Sequence, residues 1–460
     1  MAGIKDNQLT GIDGFAGLNQ VAKEENLRFG EAAPGQPKLA DLRESVNVDL
    51  DKAGKPSRRR GRRRVFDGAW SSPFAVGDWL YAVRNGHLVA VHRNFGEPTI
   101  VRAGIGGDRE LTYAEINGRI YWSNGRLIRA IDNATTDAPA WPAFTGGPRV
   151  ARSAGIGGLD AGIYQVAVTY IDTVGRESNS SLAEVLELQQ GDGITVDQLA
   201  PNDEAQSIRI YVSQAGGETL RLADTVPVGT ISWLIGNGPR GRALETQWHV
   251  PLPPGRFLRQ QNARLFVADG HVLRYSDGFR YGLAQPDGHW GRYGDPIDLL
   301  EPIGEADASG MFVASGKRTR YLSGPDPKQW REKIVYGYGA VPGTGRQFPA
   351  SAFGFEGLGT GMVPVWMARN GVFVVGMPGG AIRPIAEDRV ALDEYEAGAL
   401  MLRRQNGISQ IVAALRGPIV SNSFRATDSA AATVRRYATS TSYASSAVGF
   451  AAEATATVNA

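Results

Sequence analysis

The sequence predicts an all-β protein, namely a β-propeller with an inserted immunoglobulin- or fibronectin III-like sandwich and extended N- and C-terminal segments. Three observations lead to this fold class. A short hairpin pattern recurs five times, and the stretch between the second and third copies has strand-like patterns without this hairpin. Glycine is abundant, at 59 of 460 residues against 25 prolines. Abundant glycine without a collagen-like period is typical of a chain with many tight turns.

Residues 117–132 show the hairpin pattern. An apolar run at residues 120–122 meets Asn124-Gly125, and a second, alternating run follows. Asn-Gly favours a type I′ turn, because both central residues of that turn need a positive φ. The same pattern recurs at residues 77–91, 262–277, 310–324 and 365–385.

Five copies of one hairpin predict units that stack on one another, because a lone hairpin is marginally stable in water. The copies near residues 77, 117, 310 and 365 are spaced as propeller blades are. This spacing favours a radial arrangement and leaves the number of blades open. The alternative is an all-β chain with many hairpins and no radial symmetry.

The domain organisation follows from the gap between the hairpins. Residues 151–252 begin with a long alternating strand at 162–172, and further short strands follow without Asn-Gly turns. This pattern predicts a small sandwich, and residues 164–178 resemble a fibronectin type III strand pair; the alternative is an elaborated blade. The propeller is then divided between residues 42–150 and 253–420.

Two terminal segments flank the predicted domains. Residues 1–41 are predicted to form an extended arm with little hydrophobic core of its own. Residues 421–460 are rich in Ala, Ser and Thr and read as a peripheral strand pair or as a tail ordered by a partner. A strand near Phe450 or Val458 is a candidate to close the ring with an N-terminal strand.

Composition excludes several classes of protein. The chain contains no cysteine, which excludes disulfides, a thiolate nucleophile and a cysteine-ligated zinc site. No apolar run of about 18 residues is present, so no membrane-spanning helix is expected. The first twenty residues are polar and glycine-rich, so we expect no signal peptide.

The net charge of +2 says little, but six arginines lie close together. Residues 46–50 alternate Val and Leu with Asn and Asp, which predicts a half-buried strand. A turn at residues 51–54 leads to the arginines and then to Val65 and Phe66. These candidate docking or channel residues are Arg58, Arg59, Arg60, Arg62, Arg63 and Arg64.

The motif Asn-Val-Asp-Leu-Asp-x-x-Gly, followed by an Arg/Gly-rich return into a predicted propeller, resembles the N-terminal region of tail proteins of tailed bacteriophages. In outline the chain is similar to the tail nozzle, or tail hub, proteins of short-tailed phages. The resemblance covers about 20 residues and the overall layout.

The resemblance implies a structural virion protein that forms part of the tail channel below the portal and adaptor. It implies a ring of six copies, DNA passing through its centre, and contacts with portal or adaptor proteins and with tail fibres or spikes. The protein would be made and assembled in the host cytoplasm and would end up in the virion tail. No cofactor, metal or enzymatic activity is expected.

The arginine run has three interpretations. It docks on a neighbouring subunit, lies on a solvated strand face, or contacts DNA directly, in which case binding would depend strongly on salt. The run has no interleaved aromatic residues for base stacking, and we favour subunit docking. Docking and DNA contact are compatible if the chain lines a channel.

The sequence contains no recognisable complete set of catalytic residues. The five histidines, which are His87, His92, His249, His271 and His289, show no zinc-protease spacing, and no nucleophile elbow or phosphate-binding loop is present. Asp277, Asp287 and Glu301 are the remaining candidates for a sugar-cleaving carboxylate pair, although Asp-Gly is usually only a turn. The alternative functions are a receptor-binding tail protein, with the sandwich as recognition face, and a propeller glycoside hydrolase.

Overall fold

Antiparallel strands make up most of the chain. The computed structural model describes residues 14–18, 27, 38–42, 48–50, 55–58, 64–106, 110–199, 204–304, 309–354, 357–358, 360–385, 387, 392, 394–405, 408–417 and 458–459. These ranges contain no α-helix and three short 3-10 helices, Pro327–Gln329, Ala350–Ala352 and Pro378–Gly380. The chain divides into two compact units, one formed by Gly68–Arg292 and one by Met1–Asp67 with Tyr293–Ala460.

The N-terminal part of the second of these units contains four short strands. They are β1 (Gly14–Leu18), β2 (Leu39–Leu42), β3 (Val48–Leu50) and β4 (Pro56–Arg58). β1 and β2 pair in parallel, whereas β3 and β4 form an antiparallel hairpin. Most of the arm predicted for residues 1–41 lies outside the described residues.

The unit Gly68–Arg292 begins with two four-stranded antiparallel sheets, each folded as a meander in chain order. The first contains β5 (Trp70–Val76), β6 (Trp79–Arg84), β7 (His87–His92) and β8 (Thr99–Arg102). The second contains β9 (Thr112–Ile116), β10 (Arg119–Ser123), β11 (Ile128–Asp132) and β12 (Thr136–Pro139). Both sheets have the strand order of a propeller blade.

The turn predicted at Asn124-Gly125 differs from the structure in its type. Only Gly125 has a positive φ, and four residues connect β10 to β11. The Asn124 side chain accepts hydrogen bonds from the backbone N–H groups of Arg126 and Leu127 at 2.9 and 2.8 Å, which stabilises this longer loop. The two-residue turn with both φ values positive is instead Asn117-Gly118, between β9 and β10.

The inserted segment is a two-sheet sandwich. Its strands are β13 (Arg149–Ser153), β14 (Gly162–Asp172), β15 (Glu184–Leu188), β16 (Gly193–Asp197), β17 (Ala205–Val212), β18 (Arg221–Pro227) and β19 (Ser232–Ile235). One sheet has the order β13-β16-β19 and the other β15-β14-β17-β18. Alternate residues of β14, including Val166 and Val168, pack against Ile194 and Val196 of β16, as expected for facing sheets.

A third blade completes this unit. Its strands are β20 (Val250–Pro251), β21 (Arg256–Gln261), β22 (Arg264–Asp269), β23 (Val272–Tyr275), β24 (Leu283–Ala284) and β25 (Trp290–Arg292). The four-stranded sheet has the order β21-β22-β23-β25, and β20 pairs with β24 beside it. β21 packs next to β9, and Leu258, Leu265 and Tyr121 share one core with Trp141.

The other unit contains two further blades and a last, three-stranded sheet. The blades are formed by β26 (Ile297–Ile303), β27 (Gly310–Ser315), β28 (Arg318–Ser323) and β29 (Arg331–Tyr336), and by β30 (Arg346–Pro349), β31 (Met362–Met367), β32 (Phe373–Gly376) and β33 (Ile382–Ile385). The last sheet contains β34 (Ala397–Gln405), β35 (Ile408–Arg416) and β36 (Val458–Asn459). Phe312, Trp366 and Leu415 belong to one core that the three sheets share.

The predicted fold class is confirmed. All five predicted hairpins are present, each as the central part of a four-stranded blade sheet, and the insertion is a sandwich rather than an elaborated blade. Of the predicted C-terminal segment, only β36 lies within the described residues. It pairs with β35 and also lies next to the N-terminal strand β1. Among the described residues, no helix has the length and apolar character needed to cross a membrane.

Candidate functional site: a clamped arginine hairpin

The arginine run begins at the end of the hairpin formed by β3 and β4. In this hairpin Asp49 lies opposite Ser57 and Val48 lies opposite Arg58. The Ser57 hydroxyl donates a hydrogen bond to the Asp49 carbonyl at 3.3 Å. The strand predicted for residues 46–50 is thus present at Val48–Leu50, and the turn predicted at residues 51–54 lies outside the described residues.

A buried ion pair clamps this hairpin to β34. The side chain of Asp49 is only 3% exposed, and its two carboxylate oxygens each accept a hydrogen bond from Arg403 at 2.8 Å. Arg403 also donates to Gln410 of β35 at 3.3 Å. A bidentate pair of this kind fixes orientation as well as position, because two parallel hydrogen bonds allow only one arrangement of the planar groups.

Neither Asp49 nor Arg403 is predicted from the sequence as a site residue. The two are 354 positions apart, and an aspartate in an alternating strand reads as a solvent-facing position. The only feature of the sequence that pointed to Asp49 was its position within the phage-type motif.

The described arginines of the run are exposed. Arg58 ends β4, and Arg64 forms an ion pair with Asp67 at 3.0 Å in which both side chains are largely exposed. Arg59, Arg60, Arg62 and Arg63 lie outside the described residues. The clamp therefore holds the start of a strongly cationic segment at a fixed place on the body of its unit, where guanidinium groups can bind carboxylates or phosphates.

Asp277, one of the candidate sugar-site carboxylates, belongs to an ionic cluster. Its Oδ2 lies 3.4 Å from Nε2 of the buried His249 and accepts a hydrogen bond from Arg280 at 2.8 Å, and its Oδ1 lies 3.6 Å from Arg264. The imidazole and the guanidinium of Arg280 hold the pKa of the Asp277 carboxyl well below its usual range. A carboxyl group with a lowered pKa is a poor general acid at neutral pH.

The other two candidate carboxylates have different surroundings. Glu301 is fully buried and accepts a hydrogen bond from the Gln347 amide at 2.9 Å. Asp287 is exposed in the loop between β24 and β25. The hydrogen bond of Glu301 with Gln347 and the exposed loop position of Asp287 do not bring two of the three carboxylates together. Among the described residues, no group of three or more His, Asp or Glu side chains could hold a metal ion.

Two of the histidines follow turns, as the sequence predicts. His87 begins β7, and its Nδ1 accepts a hydrogen bond from the Gly104 backbone at 3.2 Å, whereas His271 is exposed just before β23. His289 is buried and stacks on Tyr275, with ring centroids 4.7 Å apart. The hydrogen bond of His87 and the ring stacking of His289 hold these two side chains in place within their sheets.

A second polar cluster joins the sandwich to the blades and was also missed by the sequence analysis. Glu177 accepts hydrogen bonds from Tyr211 at 2.5 Å and Arg209 at 2.9 Å, and it also pairs with Arg242. Its backbone carbonyl accepts a hydrogen bond from the Trp141 indole at 2.9 Å. Burial and the neighbouring Glu177 raise the pKa of Tyr211 to about 12, so that this hydroxyl remains a donor at all physiological pH values.

The fold and the site define an all-β protein of the propeller class, with an inserted sandwich and a clamped cationic hairpin. No protein-family model and no curated protein sequence matches the chain. Similar solved structures include the WD40 domain of Neurospora crassa Pan2, with 9% identity, a TM-score of 0.31, and coverage of 75% of this chain and 86% of that one. Another is BBS1N in complex with ARL6DN, with 10% identity, a TM-score of 0.29, and coverage of 76% and 89%.

The N-terminal domain of Nup159 is similar at 10% identity with a TM-score of 0.25, covering 75% of this chain and 72% of that one. At such identities and TM-scores these similarities carry no argument about function.

Proposed function

We propose that this chain is a structural virion protein that forms part of a phage tail channel, as a nozzle or hub below the portal and adaptor, through which DNA passes. The proposal rests on the motif that precedes the arginine run. The observation that carries it is the clamp, because Asp49 of that motif is a buried anchor of the hairpin on β34.

In this role the hairpin formed by β3 and β4, together with the arginine run that begins at its end, is a docking element. A cationic segment that begins at an anchored hairpin suits an anionic surface, which a neighbouring subunit or passing DNA would supply. The blade sheets, with their large apolar cores, would provide a stiff wall, and the sandwich would provide a lateral surface for adaptor, fibre or spike proteins. No step of this function requires a cofactor or a catalytic residue.

The proposed partners are further copies of the chain in a ring of six, together with portal or adaptor proteins, tail fibres or spikes, and phage DNA. The chain would be made and assembled in the host cytoplasm and would function in the virion tail. Stable ring contacts need about 1,600 Å² of buried surface each.

Electron microscopy of particles from the source lysate, labelled with antibody raised against this chain, tests the proposal. Label on the tail axis between capsid and tip is the expected result. Label at the ends of fibres would replace the proposal with a receptor-binding function centred on the sandwich. Particles that carry no label at all would overturn the virion assignment.

A further inference from the structure

Asparagine–glycine dipeptides recur through the chain in different surroundings. There are six, and their asparagines are Asn85, Asn117, Asn124, Asn237, Asn370 and Asn406, the last of which lies outside the described residues. In this dipeptide the glycine nitrogen can attack the side-chain amide of the preceding asparagine, because glycine has no side chain to hinder the approach. The surroundings of each asparagine should therefore decide how readily it reacts.

The turn between β9 and β10 leaves its asparagine unrestrained. Asn117 and Gly118 form this two-residue turn, and both are exposed. Among the described residues, none forms a hydrogen bond with the Asn117 side chain. A Cβ built on Gly118 would meet nothing within 4 Å, so the space over the turn is open. The Asn117 side chain can therefore rearrange without breaking a contact.

A carboxylate lies on the nitrogen that would attack. The Gly118 backbone N–H donates a hydrogen bond to Oε1 of Glu115 at 3.2 Å. A carboxylate in this position increases the electron density on the nitrogen and can accept its proton, which is the task of a general base. Glu115 is itself exposed, so its side chain can follow the nitrogen as the turn rearranges.

The turn at Asn85-Gly86 provides a natural comparison. It also has two residues, each with a positive φ, as Asn117 and Gly118 have. Here, however, Oδ1 of Asn85 accepts a hydrogen bond from the Ala69 backbone N–H at 3.0 Å, and the Asn85 N–H donates to the Ala69 carbonyl at 3.0 Å. The Asn85 side chain must therefore leave a partner before it can react.

Asn124 is restrained more strongly. It is buried, and its Oδ1 accepts hydrogen bonds from the backbone N–H groups of Arg126 and Leu127. Its Nδ2 donates to the Ile105 carbonyl at 3.1 Å. All three hydrogen bonds must break before the amide can turn toward the Gly125 nitrogen.

We propose that Asn117 is a site of spontaneous deamidation and isoaspartate formation, with Glu115 as the proton acceptor. The ring closes once Asn117 leaves its left-handed conformation, a rearrangement that its exposed, unrestrained side chain allows. The Gly118 nitrogen forms a bond to Cγ of Asn117, and its proton passes to Glu115. The Cγ–Nδ2 bond breaks, and Nδ2 takes up that proton and leaves as ammonia.

Water completes the reaction by opening the succinimide at either of its two carbonyl carbons. The product is aspartate or isoaspartate at position 117, and no group is oxidised or reduced. Isoaspartate adds a methylene group to the main chain of the turn. Because a two-residue turn fixes the register of its hairpin, this product should weaken the pairing of β9 with β10. The inference is independent of the proposed function.

Peptide mass spectrometry of the full-length protein, incubated in its folded state at neutral pH, tests the proposal. Arginines separate the turns at Asn85, Asn117 and Asn124, so trypsin places them on three different peptides. We expect aspartate and isoaspartate to accumulate at Asn117, about tenfold more slowly at Asn85 because of its two hydrogen bonds to Ala69, and not at Asn124. Equal rates at Asn85 and Asn117 would overturn the proposal.

The variant Glu115→Gln tests the proton acceptor, because glutamine can still accept the Gly118 N–H but is not a base. It should lower the rate at Asn117 by about tenfold or more. Asn237 is the internal reference, since Asn237 and Gly238 are exposed and, within the described part of the chain, no carboxylate accepts the Gly238 N–H. The rate at Asn237 should not change. No decrease at Asn117, or an equal decrease at both sites, would overturn the role of Glu115.

Incubation in urea separates the effect of the fold from that of the neighbouring sequence. The unfolded chain lacks the contact between Asn85 and Ala69, so the rates at Asn85 and Asn117 should converge. A difference between the two sites that persists unchanged in urea would overturn the explanation from the structure.

Discussion

Asp49 and Arg403 form the contact on which the position of the arginine hairpin depends. Replacing Arg403 by Ala would leave a buried carboxylate without its main partner, which is strongly destabilising because the charge remains out of water. We expect Arg403→Ala to lower the free energy of unfolding of this unit by about 3–5 kcal/mol. Urea denaturation followed by tryptophan fluorescence measures the change.

The matched control for Arg403→Ala is Arg404→Ala, since Arg404 is the adjacent, exposed residue of β34. This control should change the free energy of unfolding by less than about 0.5 kcal/mol. Equal effects of the two substitutions would show that the Asp49–Arg403 pair does not anchor the hairpin.

Asp277 should make stability depend on pH. Its pKa is lowered by His249 and Arg280, so the folded state favours the ionised carboxylate. The resulting stabilisation is complete above the unfolded pKa of about 3.9, and it is lost as pH falls from there through the lower folded pKa. Asp277→Asn should therefore be destabilised at pH 7, and its difference from wild type should shrink progressively below about pH 4.

Thermal unfolding of wild type and Asp277→Asn between pH 2 and pH 7 measures this difference. Asp287→Asn, which alters an exposed carboxyl group nearby, is the control and should track wild type across the range. A difference between wild type and Asp277→Asn that stays constant at every pH would contradict the assignment of the ionised group.

At the scale of elements, the blade hairpins were predictable because their signals are local. Turn residues such as Asn85-Gly86, which both have a positive φ, specify the connection between the strands that flank them. Asn117-Gly118 and Asn124-Gly125 carry the same dipeptide but differ in loop length, because the Asn124 side chain caps its own loop. Dipeptide identity therefore predicts that a hairpin exists, but not which turn type it adopts.

The joint between sandwich and blades depends on close packing at Trp141. A Cβ added to Gly282 would overlap the Trp141 side chain, whose indole N–H is bonded to the Glu177 carbonyl. Gly282→Ala should thus displace Trp141 and destabilise the unit Gly68–Arg292 by about 1–3 kcal/mol. Differential scanning calorimetry measures the effect.

Gly278→Ala is the control for this joint, because a Cβ at Gly278 meets open space and its φ is not positive. We expect it to change the melting temperature little. A Gly282→Ala protein as stable as Gly278→Ala would show that Trp141 can move without loss.

At the scale of the whole molecule, the candidate site was only partly predictable. The arginine run is visible in the sequence because its residues are adjacent. The clamp is not, because Asp49 and Arg403 meet only after the first and last parts of the chain have come together.

The six arginines of the run should contribute to self-assembly in a way that depends on salt. Raising salt from 0.1 to 1 M shortens the Debye length from about 10 to about 3 Å, which weakens contacts between exposed charges and leaves apolar contacts in place. We expect the self-association constant of the wild type to fall with salt. Replacing all six arginines by Gln should lower the constant at 0.1 M and flatten its salt dependence.

Sedimentation velocity across a salt series measures both proteins. If the six-Gln variant retains the wild-type slope, the arginines do not lie in the subunit contact. In that case the salt dependence of duplex DNA binding, with a slope of about 0.9 per neutralised phosphate, becomes the measurement that locates them.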